Sequence, residues 1–265
     1  MDRAAELSGV SDADLDRARG LLADAARVVV LTGAGISAES GVPTFRGAGG
    51  LWKQHRPEEL ATPEAFARDP CTVWEWYAWR RDLVARCDPN PGHHALARLA
   101  LDRPGRTTLV TQNVDGLHHR AARAEARGAD PAPAFPLEVH GAIHRDRCHG
   151  CGRLDEAPGP VDAARRETLP RCHACGALKR PDVVWFGEPL DADVLGAAFA
   201  AAEAADVCLV VGTSALVYPA ASVPEVTHAA GGAVVEVNPQ PTPLSARARL
   251  RLEGPAGLLL PRLIP

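Results

Sequence analysis

Four short runs of β-branched and aliphatic residues, each ending in a polar signature, constrain this chain more than any other feature. Residues 27–31 lead into Thr32-Gly-Ala-Gly, and residues 107–111 lead into Gln112-Asn-Val-Asp115. Residues 207–211 lead into Gly212-Thr-Ser214, and residues 233–237 lead into Asn238-Pro-Gln240. Runs without polar alternation are buried on both faces, which is the condition of a parallel sheet covered by helices. The expected fold is therefore α/β. In such sheets ligands bind beyond the carboxyl ends of the strands, so the four polar signatures describe one crevice. Helices are expected between the strands. Ser11 and Asp14 form a capping box ahead of residues 15–26, and residues 191–205 read as an alanine-rich helix. Residues 121–136, rich in Ala, Arg and Pro, read as an exposed loop extension.

A second signal is independent of the first. Cys148-x-x-Cys151 and Cys172-x-x-Cys175 have the pair-and-pair spacing of a tetrahedral thiolate zinc site. Four sulfur ligands leave no open coordination position, so the zinc is expected to hold structure and not to catalyse. The segment around the pairs is rich in Gly, Pro, Arg and His and poor in large apolar residues, so it has little else to fold around.

Size and charge narrow the class. A chain of 265 residues suits one large domain with a small insertion. Lys+Arg 29 against Asp+Glu 33, a net charge of −4, gives no electrostatic case for nucleic acid or membrane surfaces. No apolar run approaches the roughly 20 residues that span a bilayer. Cys71, Cys87 and Cys208 are scattered, and the first residues lack a basic start with an apolar stretch, so a reducing cytoplasm is the expected location.

Gly33-x-Gly35-x-x-Ala38 has the form of a glycine turn that cradles a pyrophosphate at a helix start. No acidic ribose-binding residue follows some 20 residues later, as it does in dinucleotide oxidoreductases. A glycine-punctuated loop follows instead, carrying Phe45, Arg46 and Trp52, with the look of a lid whose arginine meets phosphate charge.

These residues, together with Thr111-Gln-Asn-Val-Asp-Gly-Leu-His118, Glu138-Val-His-Gly141, both cysteine pairs, Val183-Val-Trp-Phe-Gly-Glu188 and Val211-Gly-Thr-Ser214, resemble the sirtuins. The resemblance runs from about residue 20 to the end, with the motifs in the same order. It implies a Rossmann-like parallel sheet covered by helices, with a small zinc-binding domain inserted. It also implies NAD as co-substrate and acyl-lysine proteins or peptides as partners. The large part is expected over residues 1–50, 90–145 and 181–265, a small helical part over 51–89 and the zinc module over 146–180. The dinucleotide site implied comprises Gly33, Ala34, Gly35, Phe45, Arg46, Trp52, Gln112, Asn113, Val114, Asp115, Gly212, Thr213, Ser214, Asn238, Pro239, Gln240 and Ala256. His140 is implied as general base, because imidazole near its ordinary pKa takes a ribose hydroxyl proton at neutral pH. The acyl oxygen would attack the ribose carbon as nicotinamide leaves. His140 would then let the 2′-hydroxyl attack the alkylimidate, giving lysine, nicotinamide and 2′-O-acyl-ADP-ribose. Val184, Trp185, Phe186, Gly187 and Glu188 would pair with the extended peptide by strand addition.

The acyl group is read from residues 72–84. At helical spacing Val73, Trp76, Tyr77, Leu83 and Val84 share an apolar face, and Arg80 falls in its middle. A guanidinium there needs an anionic partner, either an internal acid or a ligand, unless it reaches water. Tyr77-x-x-Arg80 resembles the tyrosine and arginine of the desuccinylase-like branch, and Thr44 before Phe45, where most sirtuins have Asp, points the same way. Succinyl, malonyl or glutaryl groups are thus expected, with some acetyl. Three other classes compete: an NAD-dependent mono-ADP-ribosyltransferase, an ordinary NAD oxidoreductase and a zinc-stabilised nucleic-acid module. The oligomeric state is left open by the sequence.

Overall fold

The computed structural model describes residues 10–43 and 56–264. Its strands are β1 (Val28–Thr32), β2 (Thr107–Thr111), β3 (Leu137–Glu138), β4 (Gly141–Cys148), β5 (Leu154–Asp155), β6 (Lys179–Val183), β7 (Val207–Val211), β8 (Ala233–Val237) and β9 (Leu250–Leu252). The helices are α1 (Asp12–Asp24), α2 (Ala34–Ala38), α3 (Pro57–Leu60), α4 (Pro63–Arg68), α5 (Pro70–Ala85), α6 (Pro91–Asp102), α7 (Leu117–Glu125), α8 (Ala192–Glu203), α9 (Val223–Ala229) and α10 (Ala256–Leu263).

Six strands form one parallel sheet in the order β3-β2-β1-β7-β8-β9. Both faces are buried, as the unbroken apolar runs require. Val28 and Val30 face a core built with Leu15, Leu22, Leu96 and Leu259 from α1, α6 and α10. Val29 and Leu31 face the opposite core, with Ala198 and Ala202 of α8 and Val223 of α9. Each such fully buried Val or Leu contributes about 1.5–3 kcal/mol. The chain leaves β1 toward β2 on one side and returns later as β7 on the other, so β1 and β7 flank a topological switch point. Ser11 caps α1 through the Asp14 amide at 3.1 Å, as the sequence spacing demands.

A second, antiparallel sheet, β5-β4-β6, carries the cysteine pairs. Its strands β4 and β6 span residues 145–146 and 180–181, with their register shifting between Ala142 and Asp146. It packs with α3, α4 and α5 around a separate core that includes Phe66, Val73, Trp74, Trp76, Tyr77, Ile143 and Trp185. Helix α5 is buried on more than the one face read from its spacing. Trp74, absent from that face, is fully buried and donates from Nε1 to the Lys179 carbonyl at 3.0 Å, while Leu83 is only partly buried. The helix lies against β4 and β6, and its Val84 packs with Leu117 of α7, so a single amphipathic stripe does not describe it.

One expectation is overturned in part. Residues 127–130 are exposed, but the segment is not all loop: α7 continues to Glu125, a 3-10 turn spans Ala132–Ala134, and Ala121, Ala122 and Ala134 are fully buried. Their small side chains let α7 approach α6 closely, which composition alone hid.

Candidate active site and zinc centre

The four polar signatures converge at the carboxyl ends of β1, β2, β7 and β8. Gly33, Ala34 and Gly35 form the turn from β1 into α2, and main-chain bonds lock that turn to the end of β7. Gly33 N–H donates to the Val211 carbonyl at 3.1 Å and Gly35 N–H to the Gly212 carbonyl at 2.7 Å. A Cβ at Gly35 would meet the Gly212 carbonyl oxygen at 2.6 Å, and one at Gly212, whose φ is +58°, would meet the Ile36 nitrogen at 2.3 Å. The glycines are therefore required by the approach of two strand ends, in addition to any ligand. Side chains tie in the remaining turns: Gln112 Nε2 donates to Thr213 Oγ1 at 3.0 Å, and Asn113 Nδ2 to the Gly33 carbonyl at 3.0 Å. Asn238 Nδ2 donates to the Thr213 carbonyl at 2.8 Å. Ser214 is half-buried at the same rim, with Pro239 and Gln240 exposed beyond β8. The Val114 carbonyl accepts from the Ile143 N–H at 2.8 Å, joining this crevice to β4. Ala256 opens α10 beside Gly92. Phe45, Arg46 and Trp52, with Thr44, lie outside the described residues.

Beneath the glycine turn runs a buried polar chain whose central members spacing does not reveal. The Asn90 N–H donates to His93 Nδ1 at 3.3 Å, so a neutral His93 carries its hydrogen on Nε2, 3.3 Å from Ser37 Oγ. Ser37 donates to Asp115 Oδ2 at 2.7 Å and accepts from Asn113 Nδ2 at 3.1 Å. The other Asp115 oxygen takes the Leu117 N–H at 2.9 Å. His118 Nε2 sits 3.0 Å from Thr32 Oγ1, which donates to Thr111. Burial holds His93 well below the ordinary imidazole pKa and brings His118 down to about 4. Both are neutral at pH 7. Asn90 and His93 advertise only a helix start, and they do form a capping box on α6. The second role of His93 depends on a contact 56 residues away.

His140 stands where β3 meets the second sheet. Its Nδ1 lies 3.0 Å from the Gln112 carbonyl, and its own carbonyl accepts from the Val184 N–H at 3.0 Å. A carbonyl only accepts, so Nδ1 carries the hydrogen and Nε2 keeps a lone pair. Burial lowers the pKa of His140, opposed by the Gln112 bond, so the ring is neutral at pH 7 and able to act as a base.

Between these groups and α5 opens a pocket of about 20 Å³, room for about one water, lined among others by Ala34, Ser37, Arg80, Asn113 and Asp115. Arg80 is half-buried with its guanidinium 5.2 Å from the Trp76 ring centre. Burial lowers its pKa, with Tyr77 and Asp115 opposing. Tyr77 is 2% exposed, and burial pushes its phenol up to about 12, so it stays protonated.

Residues 184–188 form a tight loop after β6. The amides of Val184, Trp185, Phe186 and Glu188 bond to the His140 carbonyl, Glu188 Oε2, the Ala61 carbonyl and the Trp185 carbonyl respectively. Strand addition along this loop is thereby left to its carbonyls and to Gly187, whose φ is +86°. Phe186 is 48% exposed; Leu216, Val217 and Tyr218 after β7, which the sequence reading did not select, are 50%, 38% and 59% exposed.

The four sulfurs of Cys148, Cys151, Cys172 and Cys175 lie within 4.8 Å of one another, with Cys148–Cys175 at 3.4 Å and Cys151–Cys172 at 3.7 Å. A tetrahedron with Zn–S bonds of about 2.3 Å has edges of about 3.8 Å, so the set fits zinc. The Cys151 N–H, donating to Cys148 Sγ at 3.3 Å, pulls that thiol down to about 6 and favours the thiolate a metal needs. Cys148 ends β4, and an Arg171–Leu178 bridge flanks the second pair. No described helix is long and apolar enough to cross a membrane.

Comparison with known proteins agrees with this geometry. The Sir2 family profile matches residues 33–219. The chain is 50% identical over 244 residues to NAD-dependent protein deacylase 2 of Pyrobaculum aerophilum, covering 92% of each chain. It is 50% identical over 258 residues to an NAD-dependent protein deacylase of Thermus thermophilus, covering 93% of this chain and 94% of that one. A solved Sir2 homolog–NAD complex superposes with a TM-score of 0.83 at 46% identity, covering 94% and 92% of the two chains. A Sir2–p53 peptide–NAD+ structure superposes with a TM-score of 0.77 at 31% identity, covering 92% and 94%. The chain belongs to the Sir2 family, the sirtuins.

Proposed function

We propose that this protein is an NAD-dependent protein-lysine deacylase that prefers acidic acyl groups, succinyl, malonyl or glutaryl, over acetyl. The crevice at the switch point fits a dinucleotide: glycines bring main chain to the strand ends, and Gln112, Asn113, Thr213 and Asn238 line one rim. NAD supplies an electrophilic ribose carbon with nicotinamide as its leaving group. His140 takes the proton of the ribose 2′-hydroxyl on Nε2, while the Gln112 carbonyl fixes the ring through Nδ1–H. Ser37, held by His93 and Asn113, orients Asp115 beside the pocket. The loop of residues 184–188 and the apolar rim at residues 216–218 receive the extended peptide. The cysteine-bound zinc maintains the second sheet.

The acyl preference rests on one observation: Arg80 lines the same pocket as Asn113 and Asp115. Asp115, lining the same pocket, supports the Arg80 charge. A carboxylate on the acyl chain gives a guanidinium charge-assisted bonds that acetyl does not. The test compares kcat/KM on acetyl-, succinyl-, malonyl- and glutaryl-lysine peptides for wild type and Arg80→Met. Wild type favours an acidic acyl group by about tenfold or more, the scale of one or two charged hydrogen bonds. Arg80→Met loses that preference and keeps most acetyl turnover. Equal losses on all peptides would restrict Arg80 to a role in the fold.

A further inference from the structure

Trp185 reaches from the loop after β6 to helix α5, 108 residues away in sequence. Its indole Nε1–H donates to the Tyr77 hydroxyl oxygen at 2.9 Å, and both side chains are 2% exposed. An indole N–H is a donor only, so the phenol is the acceptor in this bond and its own hydrogen is directed elsewhere. The indole has no freedom to swing away. The Arg180 guanidinium sits 3.3 Å from its ring centre, Phe66 packs at 5.3 Å, and the Trp185 N–H donates to Glu188 Oε2 at 2.9 Å. Glu188 in turn takes Arg180 Nη2 at 2.8 Å. Tyr77 and Arg80 are one helical turn apart on α5 and interact electrostatically.

We propose that Trp185 is a positioning residue that fixes the polarity of Tyr77, so that the phenol gives a hydrogen, and not a lone pair, to the acyl group beside Arg80. The inference rests on the acidic-acyl reading above and deepens it. A donor pair of phenol and guanidinium suits a carboxylate, which accepts at both oxygens. It does not suit a carboxamide of the same shape, whose NH₂ needs an acceptor. Selection of charge over mere size therefore depends on a bond made from the peptide-binding loop, 108 residues from the helix that carries the acyl-binding pair.

The test measures kcat/KM on succinyl-, succinamyl- and acetyl-lysine peptides. The proteins are wild type, Trp185→Phe, Tyr77→Phe, the double variant, and a protein carrying 3-benzothienylalanine at position 185. That analogue keeps the bicyclic shape and removes only the N–H, so it carries the test if Trp185→Phe misfolds. Removing the N–H lowers the succinyl-over-succinamyl ratio by about tenfold, the loss of one hydrogen bond set in its direction. In the Tyr77→Phe background the same change moves the ratio by less than twofold, because the two residues act as one unit. An unchanged ratio in the benzothienyl protein overturns the proposal, and so does a loss that persists without the Tyr77 hydroxyl. If wild type favours succinyl over acetyl and Arg80→Met abolishes this, those results overturn the Trp185 role alone. A wild type indifferent to acyl charge overturns both readings.

Discussion

Replacing Arg81 by Met tests how helix α5 is held against the second sheet. Arg81 Nε donates to the Ile143 carbonyl at 2.6 Å, and Nη2 donates to the Arg145 carbonyl at 3.0 Å and to Asp146 Oδ1 at 2.6 Å. These carbonyls lie in the stretch of β4, between Ala142 and Asp146, where its register with β6 shifts. The arginine from α5 supplies donors at this irregularity. Asp146 is 1% exposed and the Arg81 side chain 14%, so this is a buried pair and not a screened surface contact. Removing one partner of a buried pair costs about 3–5 kcal/mol, against about 0–1 kcal/mol for an exposed one. Lys179 adds compensating positive charge at Asp146, which places the expected loss near the lower end, about 3 kcal/mol. At about 2–4 °C per kcal/mol for a chain of this size, Tm falls by about 6–12 °C.

The assay is thermal and urea unfolding of zinc-loaded protein, followed by circular dichroism, for Arg81→Met, Asp146→Asn and the double variant. Asp146→Asn in the Arg81→Met background restores part of the loss, because the uncompensated buried charge is gone. A Tm within about 2 °C of wild type for Arg81→Met would mean the pair is worth no more than a surface contact, and the reasoning from burial would fail.

His140→Ala abolishes deacylation by about 10²–10⁴-fold while NAD affinity, read by calorimetry, stays within a few-fold. In wild type, kcat/KM falls as pH drops through the His140 pKa, which burial sets below the ordinary 6.5, and is flat between about pH 7 and 8. An unchanged kcat/KM in His140→Ala would move the base elsewhere. His118, neutral in the fold with a pKa of about 4, stays unprotonated while the unfolded chain takes a proton below about 6.5. Stability therefore drops as pH falls through that window, by about 3 kcal/mol at pH 4, and urea midpoints of wild type against His118→Gln read the difference. Cys148→Ser lowers zinc content and stability together, since metal binding here is part of folding. A well-folded, fully active, zinc-free Cys148→Ser would refute the structural assignment.

What the sequence made legible were the features encoded by local rules. Strand runs buried on both faces, glycine turns, the Ser11 cap and the cysteine spacing each carry their reason within a few residues, and each appears in the structure. The α7 segment was misread because Ala121, Ala122 and Ala134 look like loop composition until α6 is present to receive them. The site contacts that stayed hidden share one property: each is a polar bond between distant segments. Ser37 meets His93 across 56 residues, Arg81 meets Asp146 across 65, and Trp185 meets Tyr77 across 108. A motif records which residue types recur together, but the direction of a donor belongs to the folded contact. Gln112 shows the consequence. Its place in a polar strand end nominates its side chain, which does bond Thr213, yet its main-chain carbonyl selects the His140 tautomer. The His140 tautomer is thus set by a group that carries no sequence signal, because every residue has a carbonyl and only the fold decides which one His140 meets.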